Sequence, residues 1–175
     1  MWTSGYQKNY SNILTKLIEK KFYNQIVCFY VLGTTANMIN FIKILKSKNI
    51  YYKVILKKEQ IKEKIKELNK NIIDILDEIN CDYQILNIKK LGKRQINSKN
   101  KFLLNFGSHF DFSKDFIKDN TGKIFNFMPT PLPRYRGGAH VTWAMMKNEK
   151  YWGSCIQEID EKTKKGGFID NGRIA

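Results

Sequence analysis

Residues 25–32, QIVCFYVL, are too few for a buried helix and are apolar at nearly every position. A run of that length, dense in Val, Ile, Phe and Tyr, fits a strand covered on both faces, where side chains pointing either way meet a core. Gly33-Thr34-Thr35 then turn the chain into a stretch over 36–48 in which Ile39, Ile42 and Leu45 share one helical face. Ile50 to Leu56 reads as a second strand. Strand, glycine turn, helix and strand within about 30 residues predict a βαβ unit and a parallel sheet. The turn carries one glycine and not the GxGxxG pattern, so a dinucleotide fingerprint is absent. Gly33, Thr34 and Thr35 remain candidates to receive a substrate's phosphate at the helix N-terminus, beside the plainer reading of a tight turn.

The alternation continues. Residues 58–80 show a helical stripe of Ile61, Ile65, Leu68, Ile72, Ile75, Leu76 and Ile79, with Asn69-Lys70-Asn71 as a candidate break. A short strand is expected at Tyr83–Leu86, a polar loop over 87–100, a strand from Phe102 to Phe106, and a helix at Phe112–Lys118. Lys123–Phe127 reads as the next strand, Ala139–Lys147 as a helix and Gly153–Asp160 as a strand. Ser11 and the apolar spacing of Ile13, Leu14, Leu17 and Ile18 predict an accessory helix over 11–21 ahead of the main fold. The expected architecture is α/β: an open, Rossmann-like, mostly parallel sheet with helices on both faces, in one domain spanning 1–175.

The formal charge of +15 invites a nucleic-acid reading. Against it, only four of the 31 basic residues are arginines (94, 134, 136 and 173), whereas phosphate and base edges favour the guanidinium fork. The lysines are spread along the chain among many Ile and Asn residues, as solvated faces are. No run of about 18 apolar residues is present to span a membrane, and the first residues lack the pattern of a secretory signal. Cys28, Cys81 and Cys155 are odd in number and widely spaced. That suits free thiols in a reducing cytoplasm and gives no metal-ligand pattern.

In open α/β sheets, ligands bind outside the carboxyl ends of the strands. Two such ends stand out: Asn105-Phe106-Gly107-Ser108-His109 and Asn126-Phe127-Met128-Pro129. The second opens a segment holding all three prolines, at 129, 131 and 133, followed by Gly137-Gly138. The prolines stiffen the loop, and the glycines let backbone approach a ligand closely. An Asn at a strand end beside so rigid a loop is placed to donate to a carbonyl oxygen; the plain alternative is an Asn that satisfies loop backbone.

The run Asn126-x-Met128-x-x-x-Leu132-Pro133-x-Tyr135-Arg136-Gly137 resembles the signature N-x-H-x-S-x-LP-x-YRG of the formyltransferase family, which uses 10-formyltetrahydrofolate. The resemblance extends over residues 25–169. Downstream, Ile159-Asp160-Glu161 to Gly166-Gly167-Phe168-Ile169 is similar to the family's MDEGLDTGD-I loop. Upstream, Gly107-Ser108 and the segment ending Phe116-Ile117 are similar to a stretch that helps form the folate pocket. The RGG variant and the following Thr142-Trp143 helix look closer to the N-formyltransferases of nucleotide-linked amino sugars than to the methionyl-tRNA enzymes.

The resemblance implies a chemistry. A primary amine attacks the formyl carbon, an Asn amide and a protonated His stabilise the oxyanion, and an Asp orients the His and relays protons. Asn126 matches the Asn. Met128 occupies the His position, and a thioether neither donates a proton nor titrates. In a gap-free alignment Lys164 occupies the Asp position. His140, or His109 at the preceding strand end, is a candidate substitute. Phe106, Gly107, Ser108, Asp160 and Glu161 are implied for the cofactor, Gly33, Thr34, Thr35, Arg136 and Gly137 for the substrate, and no metal. The cysteine usage leads to the expectation of a cytoplasmic protein, and a homodimer is left open. Family catalytic domains run further than Asp170-Asn171-Gly172-Arg173-Ile174-Ala175, so the chain reads as C-terminally short: a truncated product, the first part of a split gene, or an engineered fragment.

Three expectations follow. One is an N-formyltransferase with two of three catalytic positions replaced. Another is a degenerate relative that binds folate, nucleotide or a partner protein without turnover. The third, a basic RNA-associated domain, rests on charge alone.

Overall fold

The computed structural model describes residues 28–92, 96, 101–108, 110–132, 134–135, 140–160 and 168–174, with His140 and the last stretch described by backbone alone. The accessory helix expected over 11–21 lies outside the described residues.

The βαβ unit is present: β1 (Cys28–Gly33), α1 (Ala36–Ser47) and β2 (Tyr51–Lys57). Further along come α2 (Ile72–Glu78), β3 (Tyr83–Leu86), β4 (Lys101–Phe106), α3 (Lys114–Asp119) and β5 (Ile124–Met128). After the proline loop follow α4 (His140–Met146), β6 (Trp152–Glu158) and β7 (Phe168–Ile174). One seven-stranded sheet runs in the order β7-β6-β5-β4-β1-β2-β3. Strands β1 to β5 are parallel; β6 runs antiparallel to both β5 and β7.

β1 shows why its sequence is apolar throughout. Phe29 and Val31 belong to a core cluster with Met38, Ile39, Phe41, Ile42 and Leu45 of α1 and Ile72, Ile75 and Leu76 of α2. Tyr30 and Leu32 point the other way, into a cluster with Leu103, Ile124 and Phe116 of α3. Helices therefore cover both faces, as expected. α1 starts at Thr35, whose side chain accepts the Met38 N–H at 3.3 Å. Chain order reverses at β1: β2 and β3 extend the sheet to one side, β4 and β5 to the other. Such a switch point opens a crevice at the carboxyl ends of β1 and β4.

Two expectations are corrected. Residues 58–71 are not α-helical: a 3₁₀ helix at Lys58–Lys62 leads into two short antiparallel strands, Lys64–Ile65 and Lys70–Asn71, and only Ile72–Glu78 is α-helix. The buried Gln60 accepts the Lys57 N–H at 3.1 Å, Glu63 leaves the helix in an extended conformation, and Asn69 has φ +49°. The loop expected over 87–100 contains Lys90–Leu91, which pairs with Asp111–Phe112. β7 is an addition that the sequence reading did not anticipate.

Candidate functional site at the strand ends

The carboxyl ends of β1, β4 and β5 lie side by side. Asn105 is in register with Leu32 on one side and Asn126 on the other; Asn126 is in register with Gln157 of β6, and Met128 with Cys155. Because paired residues share a face, three amide side chains occupy one row across β4, β5 and β6. Sequence reasoning singled out Asn126 but assigned nothing to Asn105 or Gln157.

Asn105 is 9% exposed and is engaged at both ends of its amide. Its Oδ1 accepts the Ser108 backbone N–H at 2.8 Å, and its Nδ2 donates to Asn126 Oδ1 at 3.0 Å. Asn126, half-buried, donates its own Nδ2 to the sulfur of Met128 at 2.9 Å. The two residues share a face because they are two apart on a strand. Met128 thus touches the amide that the sequence makes the principal catalytic candidate. Thioether sulfur is a weak acceptor, so this bond holds the N–H more loosely than an oxygen would.

Gly107, with φ +72°, supplies the turn that brings the Ser108 N–H back to Asn105. A Cβ added there would meet nothing within 4 Å. The Ser108 hydroxyl is buried without a protein partner. An orphaned hydroxyl beside open space over a glycine fits a ligand carrying polar groups at the end of β4. Phe106 is 1% exposed and packs against Phe41 and Phe127, so its side chain belongs to the core.

The end of β1 is different. A Cβ on Gly33 would come within 2.4 Å of the Phe106 carbonyl oxygen, and φ there is +129°. The Thr34 hydroxyl donates to the Glu63 carboxylate and accepts from Gln60 Nε2 at 3.4 Å, while Thr35 caps α1. A carboxylate therefore already sits beside the helix N-terminus where a phosphate would be received.

The proline loop is tied down from the far side. Trp152 Nε1 donates to the Pro129 carbonyl at 3.0 Å, and the Tyr135 ring lies 5.3 Å from the Trp152 ring. Arg134 Nη2 donates to Glu149 at 2.8 Å, and the Tyr135 hydroxyl donates to the same carboxylate, which raises the Tyr135 pKa. Tyr135 itself holds φ +55°, which these contacts maintain.

Other candidates are not brought here. The Ile159 N–H donates to the Ile124 carbonyl at 2.8 Å, so Asp160 lies beyond the amino end of β5, away from Met128. Arg136, Gly137, Glu161, Lys164 and His109 lie outside the described residues, and His140 is described by backbone alone at the start of α4. The three cysteines offer no nucleophile: burial pushes the Cys81 thiol up to about 11 and raises those of Cys28 and Cys155, leaving thiols where chemistry needs thiolate. Among the described residues no group of His, Cys, Asp and Glu could hold a metal ion, and no helix is long and apolar enough to cross a membrane.

No protein-family model matches the chain, and no curated protein matches it by sequence. The likeness is carried by structure. Phosphoribosylglycinamide formyltransferase from Bacillus halodurans superposes with a TM-score of 0.61 at 16% identity, over 85% of this chain and 79% of that one. The enzyme of the same name from Anaplasma phagocytophilum gives 0.63 at 17% identity, over 85% and 70%. WlaRD, a sugar 3N-formyltransferase crystallised in the presence of dTDP and 5-N-formyl-THF, gives 0.57 at 16% identity, over 86% of this chain and 53% of its own. The chain has the fold of the formyltransferases.

Proposed function

We propose that this chain binds a folate carrying a formyl group at the carboxyl ends of β4 and β5 and transfers that group, slowly, to a primary amine. The observation that carries the proposal is the Asn126 amide: its oxygen is held by Asn105, and its N–H is left against a thioether at a strand end in a formyltransferase fold. When bound, the folate supplies the formyl carbon. Asn126 Nδ2 leaves the Met128 sulfur and donates to the formyl oxygen as negative charge builds there. With a formyl folate bound, the C–N bond to the amine would form as the bond to the folate nitrogen breaks, and the proton lost by the amine would go to that nitrogen. A preorganised amide donor of this kind contributes roughly 10²–10³ in rate.

No side chain at 128 or 164 moves that proton as an imidazole and carboxylate would, which lowers the expected rate by about 10²–10⁴-fold. The acceptor we favour is the amine of a nucleotide-linked amino sugar, in the cytoplasm. Support comes from the Arg136-Gly137-Gly138 variant and from the likeness to WlaRD. The Glu63 carboxylate beside Thr34 weighs against an acceptor whose phosphate must sit on the N-terminus of α1. A second reading, binding without turnover, is favoured by the bond that already engages the Asn126 N–H.

Incubating the purified chain with 10-formyltetrahydrofolate and an amino-sugar nucleotide, while measuring folate binding and formyl transfer, tests both. Slow transfer that rises by about 10²-fold or more on Met128→His with Lys164→Asp supports the enzyme. Binding with no transfer in either form supports the second reading. Absence of folate binding defeats both.

A further inference from the structure

We infer that Asn105 is a positioning residue that fixes which way round the Asn126 amide sits, so that its N–H end and not its oxygen faces the reacting group. The identity of that group rests on the proposed function; the orientation itself does not.

The two ends of a carboxamide are nearly identical in shape and opposite in polarity. Turned one way, Asn126 donates to a developing oxyanion; turned the other, it sets oxygen against oxygen. The choice is made three residues from Asn105. A backbone N–H can only donate, and that of Ser108 donates to Asn105 Oδ1 at 2.8 Å. Asn105 is thereby committed to present Nδ2 across the sheet, where it donates to Asn126 Oδ1 at 3.0 Å. Asn126 is left with Nδ2 outward, and Met128 sulfur, which cannot donate, accepts it at 2.9 Å. Polarity thus passes from a main-chain group with no freedom to turn over, through one amide, to the next. Gly107 makes the relay local through its positive φ, and the 9% exposure of Asn105 limits competition from water. Of the two locks on Asn126, the amide from Asn105 is the stronger, because the thioether accepts weakly.

The test uses the full chain and Asn105→Asp, which keeps the shape and changes the polarity. At pH 8 the new carboxylate has no proton for Asn126 Oδ1, so the Asn126 amide turns over. The expected result is kcat for formyl transfer lowered about 10²-fold relative to the wild type, with KM for the folate within about twofold. As pH falls toward about 5, a carboxyl whose pKa is raised by burial gains a proton and can donate again. The deficit relative to wild type at the same pH should then shrink by about tenfold or more. Asn105→Leu, which removes one lock without reversing the amide, should lose less than Asn105→Asp, about tenfold, with no dependence on pH. Wild-type kcat in either variant, or a deficit in Asn105→Asp that ignores pH, would overturn the inference. Neutron diffraction of the deuterated protein reads the orientation without any activity. Asn126 Nδ2 should point away from residue 105 in the wild type and toward it in Asn105→Asp at pH 8. A wild-type map with Asn126 Nδ2 facing Asn105 would refute the inference outright, whether or not the variants fold. A wild type that transfers no formyl group while showing the expected orientation would refute the proposed function and leave this inference standing.

Discussion

Two strand ends a few ångströms apart in the sheet handle their polar groups in opposite ways. At the end of β1, Thr34 is bonded to a carboxylate and an amide, Thr35 caps its helix, and Gly33 lies against the Phe106 carbonyl with no room for a side chain. At the ends of β4 and β5, a glycine opens onto empty space, a serine hydroxyl is unpartnered, and an asparagine N–H rests on sulfur. The first end is closed by strong partners and serves the fold. The second keeps donors under weak restraint, which costs stability and leaves them available to a ligand.

Substitutions can break or sharpen that contrast. Gly33→Ala should have the largest effect, destabilising the fold by about 3 kcal/mol or more, because the new Cβ strikes backbone and the conformation disfavours any side chain; a shift in the urea midpoint would show it. Thr34→Val removes one hydrogen-bond partner of the buried Gln60 and one of Glu63, and should cost about 1–3 kcal/mol by the same measurement. Gly107→Ala meets no atoms, so only its positive φ is penalised, by about 1–2 kcal/mol. Met128→Leu should change stability least, within about 1 kcal/mol, since the lost contact is weak and the volume is kept. A Met128→Leu cost matching that of Thr34→Val would show the two ends to be equally closed.

Much of this was legible in the sequence where periodicity and burial agree. β1 could be apolar throughout only if covered on both faces, and it is. Residues 58–71 were misread because Ile61, Ile65, Leu68 and Ile72 fall at helical spacing. What ends the helix is tertiary: the buried Gln60 side chain bonded to Lys57 and Thr34, and the left-handed Asn69. β7 contains Asp170, Asn171 and Gly172, poor strand formers, and is defined by its pairing with β6. Within the candidate site, Asn126 and Met128 were singled out by motif. The bond from Asn105 spans 21 residues and two strands, so no local pattern carries it. Asp160 matched a family loop by spacing, yet the β6 register carries it past the amino end of β5.

The most direct measurement is the single-turnover rate of formyl transfer from 10-formyltetrahydrofolate to an amino-sugar nucleotide, in the wild type and in Asn126→Ala. A slow wild-type rate that falls by roughly 10²–10³ in the variant, with folate affinity retained, is the expected result. Equal rates in the two proteins would mean that the amide at the end of β5 faces no reacting carbonyl.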